Sequence, residues 1–282
     1  MRIGGLLRWL PPILAGAAAM DAMVVEPGRL KVGRVEVPAC EHADRLVGLR
    51  VAHLSDLHVG AVGWRPGTIA RAVEVCNSEG VDLIAITGDL IGKGTYADVA
   101  LELLSSLRTD VPRVAVLGNH DHVYGRRPME ALLRGLRDLG VLVLRNEAVG
   151  LHLRHGPVWL VGVDDGYSMR DDLERALSGL DVEHFPRMLL THYPDVADRL
   201  EPGGSQLTLA GHSHGGQVRL PILARKVCDG HARTSYSRGL YLANGNPLHV
   251  SPGVGMSGMP LRFRNWPEVT ILSFVPASGA DS

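Results

Sequence analysis

Cysteine is scarce in this chain. Three occur among 282 residues, Cys40, Cys76 and Cys228, and thiols so few and so scattered exclude a disulfide framework or a zinc ribbon. They are expected to be ordinary buried or partly buried thiols. An excess of charge is missing too: the formal net charge is −1, which leaves no basic surface for a nucleic acid. Blocks of like charge, low-complexity tracts and an internal repeat are absent. No stretch rich in proline, glycine and serine divides residues 24–275 into two domains. What remains is a chain that is 45% hydrophobic, enough for one large core or two modest ones.

A long apolar run is lacking as well. Arg2 and Arg8 precede an uncharged run from Trp9 to Met20 that ends in small residues, Ala15 to Ala19. That is short of the ~20 residues of a straight membrane span, and Pro11-Pro12 interrupts it. Residues 1–23 are therefore expected to be a signal-like or membrane-anchor segment. An apolar helix lying on the membrane surface or on the domain is the plainer alternative. Arginines ahead of the run favour a cytoplasmic N-terminus, which makes the protein membrane-associated and leans the domain, residues 24–282, towards the extracytoplasmic side.

From Val24 to Val37, short β-type runs alternate with turn residues (Pro27-Gly28, Gly33), predicting an opening hairpin. Further strands are expected at Leu49–Leu54, Leu83–Ile86, Val114–Leu117, Val141–Leu144, Val149–Leu153, Val158–Val163, Met188–Leu190 and Leu207–Ala210. Helices are expected over 67–79, from a cap at Thr95 to about Leu107, from a first-turn Pro128 to Gly140, and over 171–178. Strands alternating with helices predict an α/β domain with parallel pairing early on. Helices thin out later, which points to a mixed sheet or a second sheet.

Five of the strand ends share one design: an apolar run, a small residue or threonine, then groups able to bind metal. They deliver Asp56 and His58, Asp89, Asn119 and His120, His192, and finally His212 and His214. The carboxyl ends of strands in open α/β sheets converge on one crevice. In an extended segment residues i and i+2 point to one side, so Asp56 pairs with His58 and His212 with His214. Two imidazoles roughly 6.5–7 Å apart at the backbone suit two ions about 3.5–4 Å apart better than one. Singly these residues mean little: His192 reads as a core histidine, Asp89 as a turn or helix cap, Asn119 as an Asx-turn. Joint placement changes that, because five of the thirteen histidines fall at strand ends beside Asp or Asn. The other eight, such as His42, His155 and His184, read as surface or core residues.

Asp-x-His, Gly-Asp, Gly-Asn-His-Asp, His and Gly-His-x-His, in this order, resemble the signature of calcineurin-like metallophosphoesterases. Glu26-Pro27, Gly215-Gly216-Gln217, Gly253-Val254-Gly255 and Pro267-Glu268-Val269 are similar to the bacterial branch that often carries an N-terminal membrane segment. The resemblance implies a two-sheet β-sandwich flanked by helices, in α/β/β/α layers. It implies that Asp56, His58, Asp89 and His214 hold one metal and Asp89, Asn119, His192 and His212 the other, with Asp89 bridging. His120 would contact the substrate phosphate and protonate the leaving group, and Asp121 would orient His120.

The chemistry implied is dinuclear, metal-dependent hydrolysis of a phosphate ester by a metal-bridging hydroxide, more a phosphodiester or pyrophosphate linkage than a broad monoester. Imidazole, carboxylate and amide-oxygen ligands suit manganese, iron or zinc, and Mn2+ is the expected ion. A narrower expectation is cleavage of UDP-2,3-diacylglucosamine in lipid A synthesis. The rival class is a scaffold that kept the fold and lost catalysis. Around the site, Asp164-Asp165 would line the pocket or form a turn, Ser251 to Gly258 would shape a pocket wall, and Arg262 or Arg264 would hold a second anionic group or lie on a solvated face. Met256, Met259 and Trp266 add apolar surface, which together with the N-terminal segment suggests a lipid-linked substrate.

Overall fold

A computed structural model describes residues 10–39, 44–180, 185–219 and 233–277; Arg2, Arg8, Trp9, Cys40, His42, His184 and Cys228 lie outside them. Two six-stranded sheets pack face to face. The first contains β1 (Lys31–Pro38), β2 (Arg50–Leu54), β3 (Leu83–Thr87), β4 (Arg113–Val116), β5 (Leu142–Val143) and the last strand, β12 (Glu268–Val275). The second contains β6 (Glu147–Leu153), β7 (Gly156–Gly162), β8 (Arg187–Leu190), β9 (Leu207–Ala210), β10 (Gly239–Ala243) and β11 (Asn246–Val250). The spatial orders are β1-β12-β2-β3-β4-β5 and β10-β11-β9-β8-β7-β6. Parallel ladders link β2 to β5 through β3 and β4, and β7 to β11 through β8 and β9.

The central strands are largely apolar, as expected of strands buried on both faces, yet the pleat still sorts them. Val51, Leu83, Ala85, Val114 and Val116 face Leu160, Met188, Leu190, Leu207 and Leu209 across the interior of the sandwich. Their neighbours Ala52, Leu54, Ile84, Ile86, Ala115 and Leu117 pack outwards under helices. Those helices are α2 (Pro66–Ser78), α3 (Ala97–Ser105) and α5 (Arg126–Asp138). Outside the second sheet, α6 (Leu173–Leu177) and a 3-10 turn at Pro194–Arg199 cover Val161, Val163 and Leu189. The layers are helix, sheet, sheet, helix.

Two expectations fail. Residues 24–37 form no hairpin: Asp21–Gly28 is helical, and the single strand β1 pairs in parallel with β12, from Lys31 against Glu268 to Pro38 against Val275. The Glu26 carboxylate accepts the N–H groups of Arg264 and Asn265, 2.8 Å each, which locks that helical turn to the distant C-terminal part of the chain. Thr95 caps no helix either. It lies inside a 3-10 turn, Gly94–Tyr96, and α3 follows with Tyr96 at its N-cap and no side-chain cap bond. At the N-terminus, α1 (Leu10–Met20) has residues 11–20 exposed. Among the described residues no helix is long and apolar enough to cross a membrane.

Candidate metal centre

The ends of β2, β3 and β4 in one sheet and of β8 and β9 in the other reach the same edge of the sandwich, and each hands over to a short loop. The backbone there is not extended. Asp56, His58, Asp89, His212 and His214 have φ of 52°, 47°, 53°, 72° and 51°, a left-handed region that non-glycine residues seldom enter and that clusters at functional sites. This corrects the expectation that the two i, i+2 pairs share a side through the strand pleat. The chain coils at these points, and each of the five side chains is turned individually towards the crevice. Close backbone approach requires glycine beside them. A Cβ at Gly118 would lie 2.2 Å from Asp89 Oδ1, and one at Gly211 2.1 Å from Ser55 Oγ.

The expected ligands do converge. His58 Nε2 stands 3.0 Å from His214 Nε2 and 3.2 Å from Asp89 Oδ2. His214 Nε2 is 3.3 Å from Asp56 Oδ1. On the other side, His192 Nε2 is 3.3 Å from Asp89 Oδ2, and His212 Nδ1 is 3.2 Å from Asn119 Oδ1. Asp89 thus touches both sets, and His212 and His214 go to different ones. His192 donates Nδ1–H to the Thr87 carbonyl at 2.7 Å, which leaves Nε2 as the atom facing the site. Three groups of donors lie close enough to hold a metal ion: Asp56, His58 and His214; His58, Asp89 and His120; and Asp56, Asp89 and His192.

These residues fit divalent metal. Acceptor oxygens and imidazole nitrogens crowd together with too few protons to separate them. Buried ring nitrogens without a hydrogen-bond partner include His58 Nδ1 and His214 Nδ1. Burial, with His58 beside it, pushes His214 well below the ordinary histidine range, so it stays neutral and able to ligate. Burial pulls His192 down as well, but the Asp89 charge and hydrogen bond outweigh it and lift His192 to about 10. In the metal-free protein that proton supplies positive charge that a cation would bring. Burial raises Asp56, whereas the neighbouring His192 and His58 overcome burial to hold Asp89 well below the carboxylate range.

His120 lies in the first turn of α4 (Asn119–Val123), with its N–H on Asp89 Oδ1 at 2.8 Å, its ring edge-on to His58 and Nε2 3.3 Å from Ser257 Oγ. Burial holds it below the ordinary range. Asp121 is placed differently from its implied role. Its oxygens accept three main-chain N–H groups, from Leu90, Ile91 and Gly118, so the carboxylate ties the Asp89 loop to the Asn119 loop and makes no hydrogen bond to the His120 ring. Asp165 takes the turn role, accepting the N–H groups of Tyr167 and Ser168. Asp164 pairs with His122 and Arg145. The glycine-rich loop is a wall: a Cβ at Gly253 would lie 2.6 Å from Asp56 Cβ.

Arg262 holds no second anion. It is fully buried and its guanidinium donates to the carbonyls of Pro252, Gly253, Gly255, Asn265 and Trp266. Arg264 lies over the Phe263 ring. Sequence reasoning missed Tyr167 and Tyr193, whose rings pack on His212 with centroids 4.7 and 5.2 Å away. It also missed His53 and His249. A histidine inside an otherwise apolar buried strand was the available signal for both.

The calcineurin-like phosphoesterase family model matches residues 49–216, from the start of the first strand-end motif to the last. Three relatives extend the likeness. YkoQ, a metallophosphoesterase of Bacillus subtilis, is 30% identical over 86% of this chain and 89% of its own length. YkuE of the same species is 28% identical over 93% and 91%, and the phosphodiesterase YaeI of Escherichia coli is 28% identical over 82% and 84%. The chain therefore belongs to the calcineurin-like phosphoesterase family and is a metallophosphoesterase, a hydrolase of phosphoric ester bonds.

Proposed function

We propose that the protein is a two-metal phosphodiesterase, with Mn2+ as the working ion and iron or zinc as alternatives. The observation that carries this is the facing pair His58 Nε2 and His214 Nε2, 3.0 Å apart and bracketed by Asp56 and Asp89. Asp56, His58, Asp89 and His214 would hold one ion; Asp89, Asn119, His192 and His212 the other. Bound divalent ions supply positive charge for the phosphoryl oxygens and lower the pKa of water. The chain's own residues do the rest. His120 stands beside the donor set, neutral in the free protein, and an anionic phosphoryl group next to it would favour its protonated form, suited to donating to the leaving oxygen. Tyr167, 38% exposed beside His212, offers a ring face to the organic group on a diester, which a monoester would use less. This, with the name of the YaeI relative, favours diesters.

The test is direct. Protein reconstituted with Mn2+ should hold close to two equivalents and cleave an aryl phosphodiester faster than the matching monoester. A protein that binds fewer than one equivalent and cleaves neither would end this reading and restore the scaffold alternative.

A narrower reading is the pyrophosphate of UDP-2,3-diacylglucosamine, reached from a membrane held through residues 1–23. It is favoured by the exposed apolar side chains Ile13, Leu14, Met20, Met23, Met259 and Trp266. Sedimentation with liposomes and release of UMP from that lipid in detergent test the two parts separately.

A further inference from the structure

His53 on β2 and His249 on β11 belong to opposite sheets, and both are buried in the interior behind the metal centre. Their Nδ1 atoms are 2.9 Å apart. His53 Nε2 lies 2.8 Å from Thr87 Oγ1, Thr87 Oγ1 2.8 Å from Ser55 Oγ, and Ser55 Oγ 2.5 Å from Asp56 Oδ2. Five polar groups stand in file from sheet to sheet.

Each contact needs one donor and one acceptor, and the last member fixes the direction. Asp56 as a metal ligand is ionised and only accepts, so the Ser55 hydroxyl donates to it. With its hydrogen committed, Ser55 accepts from the Thr87 hydroxyl. Thr87 in turn accepts Nε2–H from His53. That tautomer leaves His53 Nδ1 bare, so His249 must donate Nδ1–H. Both rings are held neutral by burial, which the arrangement needs.

We propose that His53 and His249 are positioning residues for the metal centre, a one-way hydrogen-bond relay that engages Asp56 Oδ2 and so presents Oδ1 to the ion between His58 and His214. Asp56 Oδ1 already lies 3.3 Å from His214 Nε2 and 3.9 Å from His58 Nε2. Thr87 extends the effect, because its carbonyl is the group that accepts from His192. One threonine therefore steadies a ligand of each ion. The inference rests on the two-metal reading above.

Partners that orient metal ligands from behind typically change metal affinity 10–100-fold when removed. His249→Leu deletes the first donor and is expected to raise the Mn2+ dissociation constant by about that factor. His249→Asn, whose side-chain amide can place an N–H near the position of Nδ1, should recover most of it. His53→Gln, which keeps a donor for Thr87, should bind metal more tightly than His53→Leu. Urea unfolding of the metal-free proteins checks that each variant is folded. The 15N shifts of labelled histidines in the full chain loaded with diamagnetic Zn2+, which keeps Asp56 ionised, should show His53 protonated at Nε2 and His249 at Nδ1. The inference falls if wild-type protein binds Mn2+ and His249→Leu binds it within twofold, or if the tautomers are reversed. If wild-type protein binds neither Mn2+ nor Zn2+, the two-metal reading itself fails, whereas metal binding with reversed tautomers overturns the relay alone.

Discussion

Replacing Asp121 separates two roles for one carboxylate. Its Oδ1 accepts from Leu90 and Ile91 at 2.9 and 3.1 Å, and its Oδ2 from Gly118 at 2.9 Å, all in a fully buried setting. Asparagine keeps one oxygen for Leu90 and Ile91 but turns an NH2 towards the Gly118 N–H, so one buried donor goes unpaired at a cost of about 1–3 kcal/mol. Alanine strands all three, and even at the low end of ~1 kcal/mol each the loss reaches roughly 3 kcal/mol out of the 5–15 typical of a domain. The same contacts hold the loop carrying Asp89, so metal content should fall with stability. The assay is urea unfolding with chelator present, followed by metal analysis of the reconstituted variants. Asp121→Asn should unfold at lower urea with an unchanged slope, and Asp121→Ala at lower urea still. If Asp121→Asn unfolds at the wild-type midpoint and alters only the pH dependence of kcat, the carboxylate works on the His120 ring and is no tie between the two loops.

Three further outcomes are expected. His120→Ala should lower kcat by about 10²–10⁴ on an alkyl ester, whose leaving oxygen needs a proton, and much less on a p-nitrophenyl ester; equal losses on both would remove His120 from general acid duty. Arg262→Met should destabilise the fold by several kcal/mol, because it leaves the carbonyls of Pro252, Gly253, Gly255, Asn265 and Trp266 without their buried donor; a wild-type unfolding midpoint would contradict this. His192, raised to about 10 when folded against ~6.5 unfolded, contributes stability that is present in full below about pH 6.5 and lost as pH rises towards 10. Chelated protein should therefore weaken across that window while its metal affinity climbs, since binding expels the proton; chelated protein that grows more stable there would refute the assignment.

Much of the α/β frame was legible because the central strands are short apolar runs and α2 and α5 repeat at helical spacing between them. The failures share a cause. Val24–Val37 resembles a hairpin locally, but the partner of β1 is β12, far beyond the reach of any local pattern. The turn before it is helical because Glu26 finds the N–H groups of Arg264 and Asn265. Asp121 stands next to His120 in the chain, which suggested an orienting partner, yet the backbone of residues 90, 91 and 118 takes every hydrogen bond its oxygens accept. Arg262 read as a ligand-binding or solvated cation until the surrounding carbonyls enclosed it.

The sequence by itself determined the inventory and its order. Seven side chains of types able to bind metal, each placed just after an apolar run that must become a strand, are brought to one edge by the rule that parallel strands end together. Only the tertiary structure decided how those side chains turn. Left-handed backbone at Asp56, His58, Asp89, His212 and His214 is unfavourable for any of them alone. It is held by contacts between loops far apart in the chain: Asp56 N–H on the Gly88 carbonyl, His58 N–H on the Asp89 carbonyl, and, from one sheet to the other, His212 N–H on the Asp56 carboxylate.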